Sequence, residues 1–152
     1  MRCITRLVPK YKGRYQAHPL GYWQNEFPIA SKLGLDSIEF ILDFNNVEEN
    51  PLLVPGGIEN IQRAELNSGI KVRSICADYF MEAPIHSDDT ITVDKSISIL
   101  ARLIKNAYED EAVKAIVLRV DSGGGGVFAS EVIRQELLKA QEKGIKVIAS
   151  MG

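Results

Sequence analysis

Two groups of residues have types and spacings suited to chemistry. The first is Ser122-Gly123-Gly124-Gly125-Gly126, which follows the apolar run IVLRV and precedes an amphipathic segment. A strand that delivers backbone into a glycine turn at a helix start aims unpaired N–H groups at one point. That is how a chain binds an anion or stabilises an oxyanion. The second group is a set of charged side chains at the ends of other apolar runs: Arg6, Glu39, Asp43, Asp78, Glu82 and His86.

The glycine turn admits several readings. A phosphate-binding P-loop needs GxxxxGK[ST], and no Lys-Ser or Lys-Thr follows these glycines, so that reading fails. Gly124, Gly126 and Ala129 satisfy GxGxxA loosely. A dinucleotide site would also need an acid at the end of the next strand, where the chain has Ile148-Ala149-Ser150-Met151. A tight strand-to-helix turn without any ligand stays open beside these. Ser122 and Ser130 flank the turn, where hydroxyls more often bond to backbone than attack carbonyls. No HxH or HExxH arrangement offers an autonomous metal site. Cys3 and Cys76 are too few for a disulfide framework or zinc cluster and read as small buried apolar residues.

The elements that must position these residues alternate. Helical spacing is visible at 25–33, 57–67, 94–109 and 130–143, with Gly34, Gly69 and Gly144 as stop signals and Asp94 as an N-cap candidate. Strand patterns fill 37–42, 70–77, 113–120 and 145–149 after a short apolar opening at 3–8. The run at 113–120 is apolar enough to predict cover on both faces, as in parallel sheets. Between the opening strand and the first helix, KYKGRYQAHPLGYW reads as a long loop. Its Tyr15, His18 and Trp23 either line a substrate mouth or simply pack. Strand–helix alternation of this kind predicts an α/β architecture with a parallel five-stranded sheet.

The composition bounds what such a fold does. With 152 residues, 45% apolar and 25% charged, the chain has the make-up of a soluble globular protein with one ordinary core. A net charge of −2 gives no electrostatic reason to expect nucleic acid. No run approaches the roughly 18 apolar residues of a membrane span, and the first residues open no signal peptide, so a cytoplasmic setting is expected.

Residues 110–152 resemble the core of the signal peptide peptidase (protease IV) family, serine peptidases on a crotonase/Clp-like fold. The resemblance is carried by a strand followed by Asp121-Ser122 and paired glycines, by Ala129-Ser130-Glu131 with Ile133-Arg134, and by a strand ending Ser150-Met151-Gly152. It implies that Gly124 and Gly125 supply an oxyanion N–H. The family usually has Pro at the place of Gly123 and often a polar residue at Gly126. Its nucleophilic serine is expected a few residues beyond Ser-Met-Gly and its base lysine elsewhere, so the nucleophile is expected to lie outside this chain.

Residues 9–87 resemble another family, the sugar phosphate isomerase/epimerases of the xylose-isomerase-like TIM barrel. The segments that carry this are PKYKGRYQAHPLGYWQNEFPIASKLGLDSIEFILDFNNVEENPLL and KVRSICADYFMEAPIHS, and the likeness extends to about residue 108. It implies a partial barrel over 1–108 joined to a βαβ fragment over 109–152. Chemistry in such barrels sits at the C-terminal ends of strands, which makes Arg6, Glu39, Asp78 and His86 substrate-binding candidates. Ile4-Thr5-Arg6-Leu7 departs from the family's usual Gln-Gly-Arg-Leu. The residues holding the family's divalent metal come from later strands, so no cofactor is expected unless that site were complete. Taken together, the sequence predicts a chimeric or truncated protein with little activity of either kind. Peptide or sugar phosphate is a partner only if activity survives, and exposed strand edges and apolar surface predict self-association.

Overall fold

The structure, a computed structural model, describes residues 3–4, 7–121 and 126–151. The chain forms two compact units, Met1–Glu82 and Ala83–Gly152. The two family resemblances meet near residues 105–112, inside the second unit.

The first unit is built from βα steps. Strands β1 (Cys3–Ile4), β2 (Ser37–Ile41) and β3 (Lys71–Cys76) pair in parallel in sequential order, with an irregularity between Ile38 and Glu39. Helix α1 (Glu26–Lys32) follows a 3-10 turn at Trp23–Asn25 and crosses from β1 to β2. Helix α2 (Gly57–Ser68) crosses from β2 to β3, and the short α3 (Tyr79–Glu82) closes the unit. Gly69 ends α2 with φ of 77°, a left-handed conformation that costs glycine little, and its N–H donates to the Glu65 carbonyl.

An aromatic cluster fills this unit's core. Trp23 meets Phe40 edge-on with ring centroids 5.5 Å apart, Phe27 lies 6.0 Å from Trp23, and His18 sits 5.2 Å from Phe40. Pairs at such distances add about 0.5–1.5 kcal/mol beyond simple burial. His18 and Trp23 are therefore core residues (3% and 5% exposed) and not the lining of a substrate mouth. The end of β2 is fixed by buried Asn50, whose amide donates to the Ile41 carbonyl at 3.0 Å and accepts from the Leu52 N–H at 3.0 Å.

The second unit holds α4 (Thr90–Glu109), β4 (Ala115–Val120), α5 (Val127–Glu142) and β5 (Lys146–Met151). Strands β4 and β5 pair in parallel and in register from Ala115↔Lys146 to Val120↔Met151. Helix α4 starts four residues earlier than its apolar stripe suggested. Its N-cap is Asp89 and not Asp94: the Asp89 carboxylate accepts from the N–H groups of Ile91 and Thr92. Asp94 lies within the helix. Helix α5 likewise begins at Val127, three residues before the predicted start.

The described strands form a three-stranded and a two-stranded parallel sheet, which replaces the predicted five-stranded sheet, and they close no barrel. Neither are both faces of β4 covered. Ile116 and Val147 pack with Leu100, Ile133, Leu137 and Ile145 around buried Ile104, Tyr108 and Ala140. On the other face, Val117 is 63% and Ile148 52% exposed.

Tyr108 joins the helices by chemistry as well as packing. Its hydroxyl donates to Glu136 Oε2 at 2.8 Å, and Lys143 Nζ stands 4.7 Å above its ring. Burial first, then the hydrogen bond to Glu136, push the phenol up to about 12. The Glu136 carboxyl is held below its ordinary value, chiefly by the hydrogen bond from Lys139. A phenol whose folded-state value is raised contributes stability that is complete below its unfolded value, about 10. That contribution is lost as pH climbs through about 12. Tyr108→Phe is expected to cost about 0.5–1.5 kcal/mol near pH 8. Urea unfolding of both proteins as a function of pH is expected to show the gap closing across that alkaline window.

Candidate functional site

Strand β4 carries Val120 and Asp121 up to the glycine turn, and α5 leaves it at Val127. Gly126 is the N-cap, with φ of −67° and ψ of 140°, and no side chain caps the helix start. Gly126 has no side chain to cap the first N–H groups of α5, and the helix dipole adds partial positive charge there. Gly124 and Gly125, the residues read as oxyanion donors, lie outside the described residues, as does Ser122.

The hydroxyls that are described do other work. Ser130 Oγ donates back to the Gly126 carbonyl at 3.1 Å, a bond within the first turn of the helix. Ser150 stands inside β5 opposite Arg119. Glu131 is clamped by Arg134 at 2.7 and 2.8 Å and by Gln135 at 2.6 Å. Those bonds, the one from Arg134 first, pull its carboxyl down to about 2. A carboxylate held in that way is a weak proton acceptor near neutrality.

In the first unit, the carboxylate candidates divide. Glu39 and Ser74 are register partners on one face of the sheet, and Ser74 Oγ donates to Glu39 Oε1 at 3.0 Å. Cys76 shares that face two residues on, and its thiol donates to Asp78 Oδ1 at 3.1 Å. Burial, then the Asp78 hydrogen bond and the charges of Asp78 and Glu39, push the thiol up to about 12, while a hydrogen bond with Gln16 pulls the other way. Glu39 and Asp78 are thus brought to one polar strip with Cys76 between them. His86 is exposed in a turn of the second unit, and Arg6 lies outside the described residues. Among the described residues, no group of three or more His, Cys, Asp or Glu is arranged to hold a metal ion.

The loop after β1 straps this end of the sheet, and neither its aromatic nor its basic residues had signalled that. Tyr11 and Arg14 pair backbone to backbone in a tight turn. Lys12 Nζ donates to Asn46 Oδ1 at 2.9 Å, in the loop after β2. Arg14 reaches Glu82 at 3.2 Å, and Gln16 meets Cys76. Residues 12, 14 and 16 alternate along the strap and each touches a different element. Lys12 and Asn46 are both left-handed, with φ of 46° and 55°. Asn46 also donates to Glu49 Oε1 at 2.7 Å.

No protein-family profile matches the chain. Comparison with curated proteins finds Protease 4 of Haemophilus influenzae, 53% identical over 53 residues, which are 35% of this chain and 9% of that protein. Protease 4 of Salmonella typhi is 58% identical over 52 residues, 34% of this chain and 8% of the relative. The chain spans less than a tenth of the length of these relatives. About a third of it is therefore a protease IV-like segment. The aligned stretch is longer than residues 110–152, on which the resemblance was read.

The strip predicts how Cys76 reacts. A thiol raised by a neighbouring carboxylate carries little thiolate at neutral pH and alkylates slowly. With Cys3→Ser to leave one thiol, Asp78→Asn is expected to speed iodoacetamide labelling of Cys76 by about tenfold, the factor for one pKa unit. An unchanged rate would detach Asp78 from the thiol.

Proposed function

We propose that the second unit is the oxyanion-donor βαβ segment of a protease IV-type serine peptidase, kept as a folded scaffold without covalent chemistry of its own. One observation carries this reading. A stretch 53–58% identical to Protease 4, about a third of the chain, accompanies a parallel β4–α5–β5 unit whose helix starts on Gly126. The site supplies backbone donors for developing negative charge, which can lower a barrier only when a nucleophile attacks beside them. Ser130 is bonded to the Gly126 carbonyl and both Glu131 oxygens are taken by Arg134 and Gln135, so the two form no nucleophile–base pair with each other. The reading requires no cofactor, and the peptide becomes a substrate only where other residues bring the nucleophile and its base.

A fluorophosphonate probe tests this directly. The expected outcome is no labelled serine and no cleavage of peptide substrates by the purified chain. Covalent labelling of Ser122, Ser130 or Ser150, lost on mutation of that serine to alanine, would show a working nucleophile and sink the scaffold reading.

A second reading attaches to the first unit. Its three parallel strands run in sequential order with crossover helices, and Glu39 and Asp78 share a polar strip near the strand ends. That suits a segment of a sugar phosphate isomerase/epimerase-type barrel, metal-dependent if its site were complete. A carboxylate strip bonded internally to Ser74 and Cys76 has little left to offer a substrate, so this segment is proposed as inactive too. Pentulose and hexulose phosphates are expected to stay unchanged with the protein and Mn²⁺ or Zn²⁺, followed by NMR. Turnover abolished by Glu39→Gln would overturn that expectation.

A further inference from the structure

The loop after β1 is anchored at both ends and lies in solvent between them. Val8 (4% exposed) and Ala17 (1%) are buried, whereas residues 9–16 are exposed apart from half-buried Tyr11. Among the described residues, no backbone–backbone hydrogen bond joins 9–16 to another element. The two such bonds it has close the turn on itself: the Tyr11 N–H donates to the Arg14 carbonyl at 3.0 Å, and the Arg14 N–H to the Tyr11 carbonyl at 2.9 Å. The strap therefore keeps its turn without help from the sheet and is fixed only at its two ends. A segment with few buried contacts and solvent-exposed bonds opens locally, at far less cost than global unfolding.

Side-chain contacts in water keep the strap down. Arg14 brings two guanidinium nitrogens to Glu82 Oε1, each at 3.2 Å, with the two side chains 50% and 45% exposed. Lys12 Nζ donates to Asn46 Oδ1 at 2.9 Å. The Tyr22 hydroxyl stands 3.4 Å from the carbonyls of Pro9 and Lys10, which is long for a hydrogen bond. The charge-assisted contact of Arg14 is the strongest of these, yet an exposed ion pair contributes little and is screened by salt. At the end of the strap is the polar strip. Gln16 hydrogen-bonds the Cys76 thiol, and that thiol donates to Asp78.

We infer that residues 9–16 form a latch over the Cys76 end of the strip, held shut chiefly by the Arg14–Glu82 pair and opening as a unit about Val8 and Ala17. In the closed state Gln16 covers the thiol. In the open state the strip faces solvent while the sheet and helices stay folded. Arg14 and Glu82 are positioning residues here, acting on Cys76 through the strap. The latch is independent of both readings of function, because it governs access to the strip whatever the strip does.

Alkylation of Cys76 in the full chain, with Cys3→Ser leaving one thiol, tests the latch. A maleimide carrying a bulky polymer reads access: loop motion is fast beside alkylation, so the rate follows the open fraction. Arg14→Ala and Glu82→Ala are each expected to raise that rate about two- to fivefold, the span of an exposed ion pair. The double variant is expected to be no faster than the faster single one, since both changes break one contact. Charge alone predicts a different pattern. Loss of the Arg14 cation would make the thiol harder to ionise and slow the reaction, while loss of the Glu82 carboxylate would speed it. Hydrogen exchange in α2 is expected to be the same in wild type and variants, which separates local opening from unfolding. Unchanged rates in both single variants, opposite signs for the two, additive effects in the double, or faster labelling matched by faster exchange in α2 would each overturn the inference.

Discussion

The second unit depends on helix α4 lying against α5. Two parallel strands have only one ladder of hydrogen bonds between them and are not independently stable. What makes β4 and β5 a unit is the apolar layer over one face, where Ile104 and Tyr108 from α4 meet Ala140 from α5 above Ile116 and Val147. The Tyr108 hydroxyl on Glu136 fixes the rotation of one helix against the other. Remove that layer and the end of β4 and the start of α5 lose their support. Any work done by the α5 N-terminus is therefore supported from a helix earlier in the chain.

This explains why the boundary between resemblances and the boundary between compact units differ. Residues 105–112 separate two sequence likenesses, yet α4 runs through to Glu109 and its last two turns belong to the layer over β4 and β5. The protease IV-like alignment is also longer than residues 110–152. Helices obey contacts, and a contact partner three turns away leaves no mark on a helix's own pattern.

Local signals were legible where one residue decides the outcome. Gly69 and Gly144 end helices because both need positive φ. Strand 37–42 and helix 57–67 were placed within a residue or so by apolar spacing. The start of α4 was missed because Thr90–Thr92 carries little apolar signal, while Asp89 caps it through backbone bonds. The five-stranded sheet failed for a different reason. An apolar run like Ala115–Val120 fits a strand buried on both faces or one left half open, and periodicity cannot separate them. The candidate site was legible in part. Glu39 and Asp78 do share a strip, but Cys76 as the group between them and Gln16 beside it gave no sequence signal.

The strap over the first sheet carries one further implication, in its clasp of Lys12 and Asn46. Each residue holds a left-handed backbone, which costs a lysine roughly 1–2 kcal/mol and an asparagine less. The exposed bond between them returns only about 0.5–1.5 kcal/mol, so it barely offsets the lysine alone. Asn46 has Glu49 as a second tether, while Lys12 adds only a cation–ring approach to Tyr11 at 5.3 Å among the described contacts. The fastening is thus asymmetric, with a firm eye on the β2 side and a sprung hook on the other. When it opens, the hook is the part that relaxes, and the eye keeps its shape for the next closure.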